Sequence, residues 1–132
     1  PIAADPVALK VPGMTQFGPY TINADIIKIE QKDLASFKKT KTNFVEWFDC
    51  EKLKLPMAVR SRRRGDKFQP LGLTGEKRVG KFLTAAKISQ SLRRRLLVIA
   101  DSEKIIWLCP VRISEMAKVG GETKKILQLR IT

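Results

Sequence analysis

The side chains in this chain best suited to chemistry are its arginines and lysines. Arg60, Arg62, Arg63, Arg64, Lys67, Lys77, Arg78, Lys81 and Lys87 crowd the stretch 60–87, opposed only by Asp66 and Glu76. Arg93, Arg94 and Arg95 follow closely, and Arg112 stands further on. A guanidinium offers a planar fork of N–H donors that matches phosphate oxygens in pairs. A run this dense repels itself and persists most reasonably to meet an anion. An isolated lysine is ordinarily a solvated surface charge. Two arginine triplets flanking one helical segment are harder to dismiss, because like charges adjacent on a helix cost some tenths of a kcal/mol per pair. The chemistry indicated is capture of a polyanion, and RNA fits it best.

Bond-making chemistry has little support. The chain has no histidine, which removes the usual general base near neutral pH. Cys50 and Cys109 are far apart in apolar surroundings, as expected of buried thiols in a reducing compartment. Two cysteines without histidine cannot complete a zinc site unless two carboxylates join them, and no such cluster stands out. The acids are scattered. No P-loop, dinucleotide-binding glycine fingerprint or Ser-Gly-Gly pyrophosphatase loop occurs. The fragment is expected to be non-catalytic and to hold no cofactor or metal.

The net charge of +13 is confined to one part of the chain. Residues 1–50 carry six Lys against six acids and balance, so the excess lies entirely in 51–132. A localised basic patch is the electrostatic footprint of a polyanion partner, with counterion release supplying much of the affinity. With 43% hydrophobic and 30% charged residues, the composition is that of a globular domain. No apolar run is long enough to span a membrane and no signal peptide is evident, so a cytoplasmic protein without a membrane partner is expected. The chain starts at Pro1 and is expected to be an excised part of a longer parent.

These cations need a scaffold. Val7–Val11 looks like a short strand, and Pro12-Gly13 like the centre of a type II turn. Tyr20 to Glu30 alternates as a strand, with a change of apolar phase at Ile26-Ile27 that would fit a bulge or a stretch buried on both sides. Lys32 to Asn43 reads as a loop or a poor helix. Phe44 to Asp49 is a strand whose Trp47 and flanking phenylalanines could be a stacking platform for bases, although core packing is the preferred reading. Met57 to Arg62 alternates as a half-buried strand with a basic solvent face. Arg64-Gly65-Asp66 then makes a tight turn, and Pro70-Leu71-Gly72 and Thr74-Gly75 mark further turns. From Val79 the period changes: Val79, Phe82, Leu83 and Ala86 share one face of an amphipathic helix. Ser89 is placed to cap a second short helix. Leu96–Ala100 and Ile105–Cys109 form a hairpin across residues 101–104, and Lys124–Ile131 closes the chain as a strand after Gly120-Gly121. The fold class expected is α+β: mainly antiparallel strands with one or two short helices. The charge step suggests a strand-rich segment 1–50 before a basic domain 51–132, while a single layered domain fits equally well.

The string Phe48-Asp49, then Met57 through Gly72, Lys77-Arg78-Val79-Gly80-Lys81-Phe82-Leu83 and Ala86-Lys87-Ile88 resembles the C-terminal domain of bacterial tRNA(Ile)-lysidine synthetases. Ile105-Ile106-Trp107 and Val111-Arg112-Ile113-Ser114-Glu115, with Lys118-Val119 and Thr123, continue the pattern. The resemblance covers roughly 48–131, and before it only the Val11-Pro12-Gly13 turn. It implies a fold similar to a domain of the phenylalanyl-tRNA synthetase beta subunit. It also implies a parent enzyme that uses ATP and Mg2+ to ligate lysine to the wobble cytidine of a minor isoleucine tRNA. The implied partners are that tRNA, held by its acceptor stem, the parent's own N-terminal catalytic domain, and a second copy of the parent if it dimerises. Ile88-Ser89-Gln90 stands where the family often has Ile-Pro-Arg, and Arg93-Arg94 replaces an Arg-Asp, which raises the local charge. The RNA-binding residues expected are Arg60, Arg62, Arg63, Arg64, Lys67, Lys77, Arg78, Lys81, Lys87, Arg93, Arg94, Arg95 and Arg112. A different class of function remains open: a non-catalytic module docking its basic face on an acidic protein or on its own catalytic domain.

Overall fold

The computed structural model describes residues 6–29, 36–39 and 41–132, and two antiparallel sheets organise them. The first contains β1 (Val7–Ala8), β5 (Ala58–Ser61), β8 (Leu97–Ala100), β9 (Ile105–Cys109) and β10 (Arg112–Ile113), in that spatial order. The second runs β2 (Gly13–Phe17), β3 (Tyr20–Lys28), β11 (Lys125–Ile131), β4 (Val45–Asp49). A short ribbon of β6 (Lys67–Phe68) and β7 (Lys77–Arg78) leads into helix α1 (Val79–Ala85), and α2 (Gln90–Arg93) follows. This is the expected α+β class.

Alternation explains how the layers stack. Ile22 and Ala24 of β3, Leu127, Leu129 and Ile131 of β11, and Phe48 of β4 face the first sheet, where Met57, Val59, Ile99 and Trp107 meet them in one core. The intervening Val98 and Leu108 point to the opposite face and pack against Phe68, Val79, Phe82 and Leu83 of the ribbon and α1. Strands covered on both faces carry unbroken apolar runs, as in Ile105–Cys109, where every residue is buried. Each such side chain contributes roughly 1.5–3 kcal/mol by leaving water. The product is three layers: sheet, sheet, and a helix with its ribbon.

The step in charge near residue 50 is not a step in packing. β11 pairs with β3 from Ile131↔Ile22 to Lys125↔Lys28, and on its other side with β4. The chain's last strand therefore lies between two strands that precede residue 50.

Several local expectations need correction. Pro12-Gly13 is not a type II turn: Val11–Pro12 is cis and Gly13 has φ 149, far from the value near +80 that such a turn needs. A Cβ on Gly13 would also lie 2.8 Å from the Lys10 Cβ. No bulge interrupts β3 at Ile26-Ile27, where pairing with Leu127 and Ile126 is continuous. The apolar phase changes there because the strand outruns its cover, leaving Ile26 43% exposed. Ala86 is exposed as the C-cap of α1 instead of completing its apolar face. Only Phe48 of the aromatic trio is in the core; Phe44 is exposed and Trp47 half-buried, because β4 alternates at the edge of its sheet. Of the weak helix or loop expected over 32–43, residues 36–39 form a helical turn, and 32–35 and 40 lie outside the described residues. Among the described residues no helix is long and apolar enough to cross a membrane.

One buried acid ties the β8–β9 turn to the strand entry before β5. Asp101 Oδ1 accepts from the N–H groups of Glu103 and Lys104, and Oδ2 from Lys54 N–H and Lys104 Nζ. Burial alone would raise its pKa; the Lys104 ammonium and three backbone donors outweigh that and hold it below the ordinary value. A depressed carboxylate contributes stability above its unfolded pKa and loses it as pH falls through the folded one. Urea unfolding is expected to find Asp101→Ala destabilised by about 3 kcal/mol at pH 7. The gap to the parent chain should shrink on acidification below about pH 4.

Candidate nucleic-acid interface

The basic site begins where β5 runs out of sheet. Arg63 to Asp66 turns the chain, with the Asp66 N–H donating to Arg63 O at 3.2 Å and Gly65 at φ 87, a conformation glycine adopts freely. The Asp66 carboxylate organises this turn. It accepts from Arg60 Nη1 and Nη2, each at 2.9 Å, and from the Arg63 N–H at 2.7 Å. Its own carbonyl accepts from Val79 N–H at 2.9 Å, at the first residue of α1. One residue thus connects the strand, the turn and the helix.

That connection gathers cations that are distant in sequence. Arg62, Arg63 and Arg64 from the turn, Arg78 and Lys81 from the start of α1, and Arg93 and Arg94 from α2 line one groove of about 870 Å³, floored in part by Ser61, Gly80 and Leu96. Among the described residues Asp66 is the groove's only acid, and it already faces Arg60 and a backbone donor. Ser89 caps α2 by accepting from Leu92 N–H, as expected. Arg93 anchors that helix against α1: its Nε donates to Ile88 O at 2.9 Å, and both terminal nitrogens lie 3.5 Å from Thr84 Oγ1.

The other expected residues fall elsewhere. Arg60 turns inward, its side chain only 12% exposed in the pair with Asp66; it supports the groove without lining it. Lys67 and Lys77 are exposed on the ribbon, Lys87 is exposed just beyond α1, and Arg95 is exposed with its Nε directed at Ser91 O. Arg112 lies apart from the groove, its guanidinium 5.1 Å from the centre of the Phe82 ring. Both cysteines are unpaired. Burial pushes the Cys109 thiol up to about 12 and raises Cys50 as well, although Cys50 is only half-buried; neither is a ready thiolate.

Gly80 is a groove residue that charge counting does not reveal. A Cβ there would lie 3.2 Å from Arg62 Nη2, so the missing side chain is what lets this guanidinium lie against α1.

The fold gathers seven cationic side chains on one groove of a two-sheet α+β domain, and comparison with known proteins narrows what kind of domain this is. Residues 57–131 match the family model of the TilS substrate C-terminal domain. The chain is 34% identical over 125 residues to the tRNA(Ile)-lysidine synthase of Caldanaerobacter subterraneus subsp. tengcongensis, covering 94% of this chain and 26% of that protein. It is 34% identical over 90 residues to the enzyme of the same name from Dehalococcoides mccartyi, covering 68% of this chain and 19% of that protein. It spans about a quarter or less of these relatives' length. In structure it is similar to a crystal structure described as the TILS C-terminal domain, with TM-score 0.71, 24% identity, and 94% and 92% of the two chains covered. It is also similar to an N-terminal fragment of the phenylalanyl-tRNA synthetase beta-subunit from Pyrococcus horikoshii, with TM-score 0.67, 18% identity, and 85% and 38% covered. The latter two likenesses establish the fold. The chain belongs to the TilS substrate C-terminal domain family.

Replacing Gly80 separates stability from groove geometry. Gly80→Ala is expected to gain up to about 1 kcal/mol from helix propensity, since the atom in its way is the end of a flexible, exposed side chain. The Arg62 guanidinium must then move by a few tenths of an ångström. A raised urea midpoint together with a selective shift of the Arg62 Nε–Hε NMR resonance is the expected result.

Proposed function

We propose that the arginine groove binds tRNA, through the acceptor stem in particular, as part of a tRNA(Ile)-lysidine synthase. On this reading the ATP- and Mg2+-dependent ligation of lysine to the wobble cytidine belongs to a catalytic domain elsewhere in the parent polypeptide, and this domain holds the substrate. The observation that carries the reading is the convergence of seven cationic side chains from three separate segments on one groove. The names of the relatives supply the kind of polyanion. An A-form stem presents its phosphate backbone and a shallow minor groove, so recognition there rests on shape and charge. Arginines supported by a turn and two helices suit such a stem, because each presents a fork to phosphate without first ordering a loose tail. Lys67, Lys77, Lys87 and Arg95 extend the positive surface around the groove, and Arg60 keeps the turn in place.

The test is charge reversal read across a salt series. Arg63→Glu with Arg64→Glu is expected to weaken binding of a minor isoleucine tRNA by at least about tenfold and to reduce the slope of log K against log salt by about two. Lys10→Glu with Lys28→Glu, outside the groove, should change neither by a comparable amount. Unchanged affinity and slope in the arginine pair would overturn the proposal, and tight binding of the isolated catalytic domain with no RNA affinity would favour protein docking instead.

A further inference from the structure

Trp47 has no role in the groove, and its surroundings resemble neither a core nor an ordinary surface. Its indole lies 4.0 Å from the Phe37 ring, nearly parallel at 6°, and its Nε1–H donates to Gln128 Oε1 at 2.9 Å. Both rings line a cavity of about 740 Å³ that opens between the edge strands β4 and β10, within the size range of small-ligand sites. Lys38, Lys41, Arg112 and Lys118 line it, with Glu46 as the one acid among the described residues. Glu46 is largely buried and lies 2.9 Å from Lys41 Nζ.

The registers relate this cavity to the arginine groove. Ser61 pairs with Leu97, Leu97 with Cys109, and Arg112 with Leu108, so the end of β5, the start of β8, the end of β9 and the start of β10 share one end of the first sheet. Ser61 and Leu96 border the groove, and Arg112 borders the cavity. Three strand spacings separate them, about 14 Å, roughly the reach of four stacked nucleotides. Helix α1 bridges the two: Lys81 lines the groove and Phe82, next in sequence, lies beneath Arg112.

We propose that this cavity receives an unpaired nucleobase from the same RNA whose phosphates lie in the arginine groove. The inference rests on the RNA-binding reading above and adds a second point of contact to it. A base supplies a π face to continue the Phe37–Trp47 stack from one side, and its exocyclic amino group suits the Glu46 carboxylate as acceptor, as cytosine N4 does. Of the surrounding cations, Lys38 and Arg112 face the attached phosphates, while Lys41 and Lys118 are paired with Glu46 and Glu115. An acidic peptide would match the cations and could donate a backbone N–H to Glu46, but its acidic side chains offer no π face to the rings.

The test compares three RNA hairpins with one stem: blunt, with a four-nucleotide overhang, and with an abasic overhang of equal length and charge, the overhang placed on either strand end in turn. The base-containing overhang is expected to bind at least about fivefold more tightly than the abasic one and to quench tryptophan fluorescence, the other indole, Trp107, being only 1% exposed. Phe37→Ala and Trp47→Leu should remove the gain while leaving blunt-hairpin affinity intact, and Trp47→Phe should keep most of it. If all three hairpins bind alike and Arg63→Glu with Arg64→Glu still abolishes binding, the second site is refuted and the groove stands. If no hairpin binds, both fail. Equal quenching by an acidic peptide would overturn the nucleobase assignment.

Discussion

A single carboxylate sets the geometry of the basic site. Asp66 accepts from both terminal nitrogens of Arg60 and from the Arg63 N–H, while its carbonyl holds the first N–H of α1. Two unit charges 4 Å apart interact by about 4 kcal/mol near a protein surface and about 1 kcal/mol in water. A turn carrying three consecutive arginines would therefore splay if nothing fixed its backbone. Asp66 fixes it without neutralising the three, because its charge is matched by Arg60, which points away from the groove. An acid in the middle of a basic patch is here the means of keeping the rest of the patch basic.

Behind that turn stands a frame that makes the arrangement rigid. β5 ends at Ser61 in a five-stranded sheet whose central strands are buried on both faces, one by the second sheet and the other by α1 and the ribbon. The groove is built on the rim where these layers meet, so its cations arise from a strand end, a helix start and a second helix whose positions are set by different parts of the core. Because β11 lies between β3 and β4, that frame needs the nearly neutral first 50 residues as much as the basic remainder. Charge and packing divide this chain differently.

Legibility follows the range of the interaction. Seven of the eleven strands among the described residues, α1, the Gly65 turn and the Ser89 cap are readable because each depends on residues within a few positions of one another, and the arginine triplets advertise themselves by composition; β2, β6, β7 and β10 escape, three of them being only two residues long. What cannot be read are matters of direction. Arg60 and Arg62 lie on the same face of an alternating strand, yet Arg60 is drawn under the turn by an acid six residues on, while Arg62 stays in the groove. Arg112 differs from them in nothing local, and only the third dimension places it over Phe82. Trp47 reads as a core residue because the aromatics around it flank Glu46 instead of a basic run; period-two alternation at a sheet edge sends Phe48 inward and leaves Trp47 half-buried. Gly80 matters through a side chain eighteen positions away, a contact no spacing rule anticipates.

The distribution of order over this surface bears on how it would hold RNA. Flexible basic tails gain affinity from counterion release, yet they must order many rotatable bonds on binding. Here the backbone conformation is settled in advance by the core, and Arg93 is partly fixed by Ile88 and Thr84. The residual freedom lies in the guanidinium ends of exposed arginines such as Arg63, Arg64 and Arg94. Such a surface can adapt over an ångström or so to individual phosphates but cannot follow an arbitrary backbone path. On the proposed reading its selectivity would therefore be for the shape of a duplex more than for its sequence. Base identity would have to be read elsewhere, and on the inference above that place is the cavity between β4 and β10 that Phe37, Trp47 and Glu46 line.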